Sequence, residues 1–420
     1  MPSNWLPERT QRGHGMIVVI ADDFSGAAEL AGIGFCAGLR TQVQTDFSPD
    51  TQAGLLVLDT NSRSCPPSEA ASRVRKAVRQ IKEAGIPIDW LYKKTDSVLR
   101  GPIAAELAEL MKTLNIPRVL LVPANPSQGR IVRDGRYFVN QQPLDRTDFA
   151  KDPEYPAFSS DVLELLGLSS SPDAGVLTPG QKLPERGIRL GQAETSRDLQ
   201  VWAECLEPQT LAAGAADFFT AILQAKGFRF DAAMSRTPFR ARPPALFVFG
   251  SGSAYSRTIL QKARRLGRTV YRMPDELFSC RDRFGKSDLP VQRWAEQIAA
   301  AFEKENCVAA AIDRPVVPDP LFARTLAAVT ALMVQEVSAR IRIKDFYLEG
   351  GATASAVIRR LGWSRFDISA RPAPGVVQMR IAEKEDCFLT VKPGSYSWPE
   401  PILNLFLKGI SCANGNPSLD

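Results

Sequence analysis

Histidine is almost absent from this chain of 420 residues, which contains a single one, His14, in a polar segment near its amino end. Histidine is the side chain used most often as a general base and as a metal ligand near neutral pH. Its scarcity nearly excludes a catalytic centre built on a histidine base and a metal held by histidines. Chemistry must then depend on Asp, Glu, Lys, Arg and backbone amides.

Paired cysteines and long apolar runs are lacking as well. The seven cysteines are widely spaced and form no CxxC pair, which argues against a disulfide framework and against a zinc site. No apolar stretch approaches the length of a membrane span, and residues 1–15 have no signal-peptide core. We therefore expect a cytoplasmic protein without a membrane partner.

Charge of one sign is only slightly in excess, with 52 Lys and Arg against 46 Asp and Glu. Nucleic-acid-binding proteins usually carry denser basic faces interleaved with aromatic residues, so nucleic acid is not an expected partner. The net charge of +6 fits either weak attraction of small anions or an ordinary basic surface. The hydrophobic content of 44% is that of an ordinary globular protein.

Short apolar runs alternate with helix-period segments through the first half of the chain. Such alternation predicts parallel strands joined by helical crossovers, and therefore an α/β fold with mainly parallel sheets flanked by helices. The predicted strands are Ile17–Ala21, Leu55–Asp59, Ile88–Tyr92 and Val119–Val122, and the predicted helices are Ala27–Ala37, Ser68–Ala84 and Ile103–Leu114.

A second series of strands and helices begins at Ala245, after a segment rich in Pro and Arg. It includes a long helix from Pro320 to Arg340, whose apolar stripe is typical of core packing. Between Pro123 and Pro156 periodicity fails, and we interpret this stretch as a binding loop without regular structure. The predicted organisation is a polar arm (1–15), a first domain (16–227), a linker (228–244) and a second domain (245–420).

The first predicted strand ends on two adjacent acids, Asp22 and Asp23, before a turn and a helix. Ligands of parallel sheets bind at the carboxyl ends of the strands, so this pair is a candidate site. A helix cap is the alternative, since Asp23 or Ser25 could satisfy the free N–H groups of the following helix. A cap needs only one acid, which leaves the other for function.

Two further strand ends carry polar and charged side chains. The segment YKKTDSVLRG places cations, an acid and a hydroxyl together, which suits a small anionic, hydroxylated ligand. Its alternative is a capped helix with solvated basic residues, although cations are unfavourable at a helix N-terminus unless an anion is present. The third strand end, DTNSRS, adds another arginine. The residues concerned are Lys93, Lys94, Asp96, Ser97 and Arg100 in the first segment and Arg63 in the second.

Three glycine-containing turns follow predicted strands in the second half: FGSGSAYS, LEGGATASAV and VKPGSYS. Backbone N–H groups at such turns bind phosphate, although none of the three is a P-loop. Each could also be a simple turn. Two strand-to-helix turns of this kind in one domain nevertheless favour a nucleotide.

These motifs occur in the order found in the four-carbon acid sugar kinase family. ADDFSGAAE, NSRS, KKTDSVLRG, the loop beginning PANPSQGR, GSGS, EGGATAS and KPG all resemble segments of that family, over residues 16 to 408. The resemblance implies an acid-sugar-binding first domain and an ATP-binding second domain, with the active site in the cleft between them. It also implies transfer of phosphate to the terminal hydroxyl of threonate, erythronate or a 3-oxo-tetronate.

The family pattern also implies which residues bind each ligand. The acid sugar would contact Asp22, Arg63, Lys94, Asp96, Ser97 and Arg100. ATP would contact Ser251, Ser253, Gly350, Gly351, Ala352, Thr353 and Gly394. Mg²⁺ would accompany ATP through phosphate oxygens and water, so no residue is predicted as a metal ligand. The chain departs from the family at Ala352, where an acid is usual, and at Asn125, where an aromatic is common.

Phosphoryl transfer requires alignment of the hydroxyl with the γ-phosphate and neutralisation of charge. We assign the role of base or hydroxyl-orienting group to Asp22, with Asp23 as the second candidate, while Lys94 offsets charge. Arg63, Arg100 and Ser97 would hold the substrate carboxylate and hydroxyls. The alternatives are a non-catalytic sensor of acid sugar or nucleotide, which Ala352 favours, and a nucleotide-dependent dehydrogenase, which the absence of GxGxxG disfavours. For the oligomeric state, the sequence leaves a homodimer open.

Overall fold

The computed structural model describes residues 15–152, 155–230, 239, 241–279, 289–315, 317, 319–394 and 396–408. Residues 1–14 of the predicted polar arm, including His14, and positions 231–238 and 240 of the predicted linker lie outside the described residues. As far as these reach, the chain divides into two compact units. The first comprises residues up to 236 with 317–320 and 364–371, and the second comprises 237–316, 321–363 and the chain from 372 onward.

Among the described residues, the amino-terminal part of the first unit contains eleven strands and six α-helices. The strands are β1 (Met16–Ala21), β2 (Thr41–Gln44), β3 (Leu55–Asp59), β4 (Ile88–Lys94), β5 (Arg118–Val122), β6 (Arg130–Arg133), β7 (Arg136–Val139), β8 (Gln142–Pro143), β9 (Ala174–Leu177), β10 (Gly187–Gly191) and β11 (Thr210–Gly214). The helices are α1 (Phe24–Cys36), α2 (Pro67–Glu83), α3 (Ile103–Leu114), α4 (Val162–Leu165), α5 (Ser196–Glu204) and α6 (Ala216–Ala225).

A parallel sheet in the order β2, β3, β1, β4, β11, β5, β10, β9 forms the centre of this unit. All of the strands and helices predicted between Ile17 and Val122 are present, and the predicted α/β class is confirmed. The central strands are continuous apolar runs because helices cover the sheet, and Val18, Val19 and Ile20 are fully buried.

The register of the sheet brings the carboxyl ends of three strands to one edge. Ala21, the last residue of β1, pairs with Asp59 at the end of β3 and with Lys94 at the end of β4. The residues that follow these strands are those that the sequence marked as candidates.

The prediction that the stretch from Pro123 to Pro156 lacks regular structure is wrong. β6, β7 and β8 form an antiparallel sheet within it. Two-residue turns join them, at 134–135 and 140–141, and Asp134 and Asn140 have φ of 50° and 48°. Such turns match the twist of a hairpin, and Asp-Gly is a strong signal for one. The strands escaped detection because segments of two to four residues are too short to show a period.

The second unit contains the remaining strands and helices. The strands are β12 (Ala245–Phe249), β13 (Val270–Arg272), β14 (Cys307–Ala311), β15 (Asp345–Glu349), β16 (Arg365–Ala373, shared with the first unit), β17 (Val376–Ile381) and β18 (Phe388–Lys392). The helices are α7 (Ala254–Arg265), α8 (Asp275–Ser279), α9 (Leu289–Ala301), α10 (Pro320–Arg340), α11 (Gly351–Leu361) and α12 (Glu400–Lys408).

Its sheet runs in the order β13, β14, β12, β15, β18, β17, with β17 antiparallel to its neighbour and the other pairs parallel. Phe247 and Tyr347 stack at 4.2 Å in an aromatic core beside Trp398. Helix α10 is the one described helix that is long and apolar enough to cross a membrane. Its predicted stripe, from Phe322 to Val337, is buried, as expected for a core helix.

One segment returns to the first unit late in the chain. Residues 364–371 belong to that unit, where Arg365–Asp367 pair antiparallel with Gln42–Gln44 of β2. A division of the chain at a single linker does not anticipate this return, since the partners are more than 300 residues apart.

Candidate active site

The acid pair Asp22 and Asp23 is held by a single guanidinium, that of Arg63 in the turn after β3. Arg63 donates to both oxygens of Asp22, from Nε at 2.9 Å and from Nη2 at 3.0 Å. It also donates to both oxygens of Asp23, from Nη1 and Nη2 at 2.8 Å. The backbone N–H of Arg63 donates to the carbonyl of Asp22 at 3.1 Å, which fixes the turn against β1.

The two acids differ in exposure and in the direction of their pKa shifts. The Asp22 side chain is 1% exposed and that of Asp23 is 18% exposed. Burial acts to raise the pKa of Asp22, but the charges of Arg63, Lys93 and Lys94 outweigh it and the pKa is lowered. Burial and the charge of Asp22 raise the pKa of Asp23, with Arg63 opposing. Asp23 is therefore the more accessible acid and the one that is protonated more readily.

Asp23 also caps helix α1, because its Oδ1 accepts a hydrogen bond from the Gly26 N–H at 2.8 Å. The capping alternative from the sequence is thus confirmed for this residue. The Asp23 side chain is 18% exposed, so the cap does not exclude a functional role.

A second cluster lies in the turn after β4. Arg100 donates to both oxygens of Asp96, at 3.0 and 2.9 Å, and to Asp152 at 2.8 Å. Asp96 also lies 3.5 Å from Arg63, so it joins the two clusters. Burial acts to raise the pKa of Asp96, but Arg100 and Arg63 outweigh it and hold the pKa well below its usual range. Asp96 is therefore held as a carboxylate by its two arginine partners.

Lys93 and Lys94 are neighbours on β4 and contact different helices, because successive strand side chains point to opposite faces. Lys93 is fully buried and pairs with Glu106 of α3 at 3.1 Å. Lys94 donates to the Thr95 carbonyl at 2.8 Å and lies 3.8 Å from Glu29 of α1. Only Lys94 therefore shares the side of the sheet on which α1 and its cap lie.

The structure brings the predicted residues of the first unit together. One continuous series of contacts joins Asp22, Asp23, Arg63, Asp96 and Arg100. Ser97 is the residue directly after Asp96 in the sequence. Sequence reasoning missed four residues that contact this group: Glu29, Arg130, Asp152 and Tyr155. Of these, Asp152 and Tyr155 follow the β6 to β8 hairpins, whose structure the sequence did not reveal.

In the second unit, the three predicted turns lie against one another. A Cβ on Gly250 would approach Thr353 Oγ1 to 1.9 Å and the Glu349 carbonyl to 3.0 Å, and a Cβ on Gly394 would approach Ser251 Oγ to 2.9 Å. Only glycine permits this close packing. The turns after β12, β15 and β18 thus converge at one edge of the sheet.

Two helix N-termini begin at this edge. Ser253 caps α7 by accepting from the Ser256 N–H at 3.2 Å, and Gly350, with φ of 98°, precedes α11. Gly351 and Ala352 open α11, and Ala352 is exposed while Thr353 is buried. Backbone N–H groups at helix starts of this kind can bind phosphate.

A buried ion pair lies beneath these turns, and sequence reasoning missed it. Lys392 and Glu349, both fully buried, are 3.2 Å apart. Glu349 accepts hydrogen bonds from Ser256 Oγ and, at 2.8 Å, from Trp398 Nε1. Burial lowers the pKa of Lys392, and Glu349 opposes the shift. The signal was present, since each residue directly precedes a glycine or proline turn at a strand end.

Comparisons with known proteins associate the two parts of the chain with different ligands. A profile of a sugar-binding N-terminal domain matches residues 17–222, and one of a nucleotide-binding C-terminal domain matches residues 246–396. A D-threonate kinase of Salmonella typhimurium is 29% identical over 395 residues, which cover 85% of this chain and 89% of that protein. A 3-oxo-tetronate kinase of Haemophilus influenzae is 24% identical over 417 residues, covering 91% and 97%.

A solved structure of a Haemophilus influenzae protein has the same fold, with a TM-score of 0.68 at 20% identity, over 94% of this chain and 99% of that one. The matches to a sugar-binding and a nucleotide-binding domain, together with kinase-named relatives along most of the chain, place this protein in the class of kinases. Within that class, this chain belongs to the four-carbon acid sugar kinase family, as the sequence resemblance predicted.

Replacing Arg63 with Met is expected to destabilise the first unit. The change leaves Asp22 and Asp23 adjacent without their shared counter-charge, and removing one partner of a buried ion pair costs about 3–5 kcal/mol. Denaturant unfolding of the full chain measures the loss. Arg75→Met is the control, since Arg75 makes a surface ion pair with Glu109 and should cost under about 1 kcal/mol. Equal losses in the two variants would contradict the assigned role.

Proposed function

We propose that this protein is an ATP-dependent kinase that phosphorylates the terminal hydroxyl of a four-carbon acid sugar of the threonate, erythronate or 3-oxo-tetronate class. The observation that carries the proposal is the cluster of Asp22, Asp23, Asp96, Arg63 and Arg100 at adjacent strand ends of the sugar-binding domain. Ionised carboxylates held in fixed positions are suited to accept hydrogen bonds from several hydroxyls. The names of the relatives support the substrate class.

Asp23 is the better candidate for the group that orients and deprotonates the hydroxyl. Its carboxylate is partly exposed, and its pKa is shifted upward, toward the range of an effective base. Both acids accept from Arg63 with both oxygens, but Asp22 is only 1% exposed and the charges of Arg63, Lys93 and Lys94 lower its pKa. This geometry favours Asp22 as the anchor of Arg63, and it reverses the order in which the sequence ranked the two acids.

ATP would bind at the converging turns of the second unit. The two helix starts are surrounded by Ser251, Ser253, Gly350, Gly351 and Thr353. Backbone N–H groups there would hold phosphate oxygens. Gly394 lies against Ser251 and completes the edge.

Mg²⁺ would accompany ATP through phosphate oxygens and water. Among the described residues, no three His, Cys, Asp or Glu side chains are grouped so that they could hold a metal ion. Ala352 adds no ligand, since its side chain is a methyl group. We therefore assign no residue of this chain to the metal and derive no step from it.

Transfer requires the sugar hydroxyl to meet the γ-phosphate. Lys94, on the same side of the sheet as Asp23, would offset the charge that develops during transfer. The second candidate function is a sensor that binds these ligands without transfer. The specific observation in its favour is Ala352, where relatives of this family usually carry an acid.

ADP formation tests the proposed function directly. Purified protein with ATP and Mg²⁺ is expected to release ADP with at least one of threonate, erythronate and their 3-oxo derivatives, and not with the uncharged tetritols. Thermal stabilisation by the same ligands is measured in parallel. Stabilisation without ADP release would favour the sensor, and no response to any of these acids would refute both.

The two aspartates can be separated by comparing Asp23→Asn with Asp22→Asn. Asp23→Asn is expected to lower turnover by about 100-fold or more, the scale of losing an acid–base group, while the fold is kept because Asn also caps helices well. Asp22→Asn is expected to lower the free energy of unfolding by more than Asp23→Asn, because Arg63 then loses the more buried of its two charged partners. Turnover and denaturant unfolding are measured for both. Unchanged turnover in Asp23→Asn would remove Asp23 from the reaction.

Gly250→Ala tests the nucleotide site. The added methyl group would collide with Thr353 Oγ1 and force the turns after β12 and β15 apart. The KM for ATP is expected to rise by about 10-fold or more, with little change in the KM for the acid, because a displacement of about 1 Å is sufficient to disturb such a site. Gly54→Ala is the control, since its Cβ would meet Leu39 at 3.4 Å and the Arg40 carbonyl at 3.9 Å, both ordinary contacts. Equal changes in both KM values would contradict the assignment.

A further inference from the structure

Nearly every cation near the sugar-binding cluster has a carboxylate partner in the protein itself. Arg63 is shared by Asp22 and Asp23, and Arg100 by Asp96 and Asp152. Lys93 pairs with Glu106, and Lys94 lies near Glu29. Carboxylates of the protein already neutralise the charges of these cations. The cations therefore attract an anionic substrate only weakly.

Arg130, the first residue of β6, is the exception among the described residues. Its guanidinium makes no ion pair there, and its side-chain hydrogen bond is the one that Nη1 donates to Ser97 Oγ. Ser97 follows Asp96 directly, so Arg130 reaches the cluster from the hairpin side. Its side chain is partly exposed, which leaves the remaining N–H donors open to a ligand.

The position of Arg130 is fixed from both sides. Its backbone exchanges hydrogen bonds with Asn125, at 2.8 and 3.2 Å. Asn125 in turn accepts from the N–H of Asp217 in α6 at 2.9 Å. On the other side, the guanidinium of Arg130 lies 5.6 Å from the Phe149 ring, and that of Arg100 lies 5.7 Å from the same ring. Arg130 is thus held near the Phe149 ring, which Arg100 also approaches, and its charge has no carboxylate partner among the described residues.

We propose that Arg130 binds the carboxylate of the acid sugar, with Ser97 beside it, and thereby determines the preference for an acid over a neutral sugar alcohol. The inference rests on the proposed function, since it assumes a four-carbon acid as substrate. A guanidinium binds a carboxylate through two parallel hydrogen bonds, and a fixed, uncompensated one loses little entropy on binding. Arg63 and Arg100, assigned to this role from the sequence, instead hold the acids that bind hydroxyls.

The experiment compares the full-length wild type with Arg130→Met, Arg130→Lys and the control Arg133→Met. Arg133 is at the other end of the same strand, pairs with Glu194 and lies outside the cluster. KM and kcat are measured for the active acid and for ATP. Calorimetry measures binding of that acid and of the tetritol with matching stereochemistry.

Arg130→Met is expected to raise the KM for the acid by about 10- to 100-fold, as for loss of a charge-assisted bond, with the KM for ATP and tetritol binding changed by less than about twofold. The KM of Arg130→Lys for the acid is expected to be intermediate, because lysine keeps the positive charge but cannot form the two parallel hydrogen bonds of a guanidinium. Arg133→Met should match the wild type.

An unchanged KM for the acid in Arg130→Met, or an equal loss of acid and tetritol binding, would overturn the assignment while the wild-type activity still supported the proposed function. If Arg130→Met does not fold, Arg130→Lys with a wild-type KM for the acid decides against it. A wild type that neither binds nor phosphorylates a four-carbon acid would refute the function and the assignment together.

Discussion

The contact between the Arg63 guanidinium and two adjacent carboxylates is the constraint on which the sugar-binding unit depends. Asp22 and Asp23 follow a fully buried strand, where burial and mutual repulsion would otherwise drive protons onto them. Arg63 opposes that effect at both acids and, with Lys93 and Lys94, outweighs it at Asp22. It also links three parts of the chain, since its N–H binds Asp22 at the end of β1 and its carbonyl accepts from Tyr155 at 2.5 Å. One residue therefore both compensates the charge of the two acids and joins three segments of the chain by hydrogen bonds.

In the nucleotide-binding unit, too, a buried ion pair fixes the position of residues at strand ends. Its glycine turns are small and offer few side-chain contacts, so their positions must be fixed from below. Lys392 and Glu349 provide this support, because the pair is fully buried and Glu349 reaches Ser256 of α7 and Trp398 before α12. A buried pair is costly to desolvate and contributes mainly to specificity of structure, which suits a site that must hold backbone N–H groups in place.

Much of the fold could be predicted from the sequence, whereas the partners within the site could not. Strands such as β1 and β5 are buried on both faces and therefore appear as unbroken apolar runs, and strand-end chemistry located Asp22, Arg63 and Asp96. Ion pairs, however, join residues far apart in sequence, by 41 positions for Arg63 and Asp22 and by 52 for Arg100 and Asp152. Residue types at a sheet edge do not reveal which acid each arginine will hold.

That pairing has a consequence for how an acid sugar would lie in the site. Contacts run from Arg130 to Ser97, then through Asp96 and Arg63 to Asp23. The acids at the Asp23 end would repel a carboxylate but accept hydrogen bonds from hydroxyls, whereas the uncompensated charge lies at the Arg130 end. On the proposed assignments, the electrostatics alone would therefore orient the substrate, with its carboxylate at Arg130 and its terminal hydroxyl at Asp23, the group proposed to prepare it for phosphate.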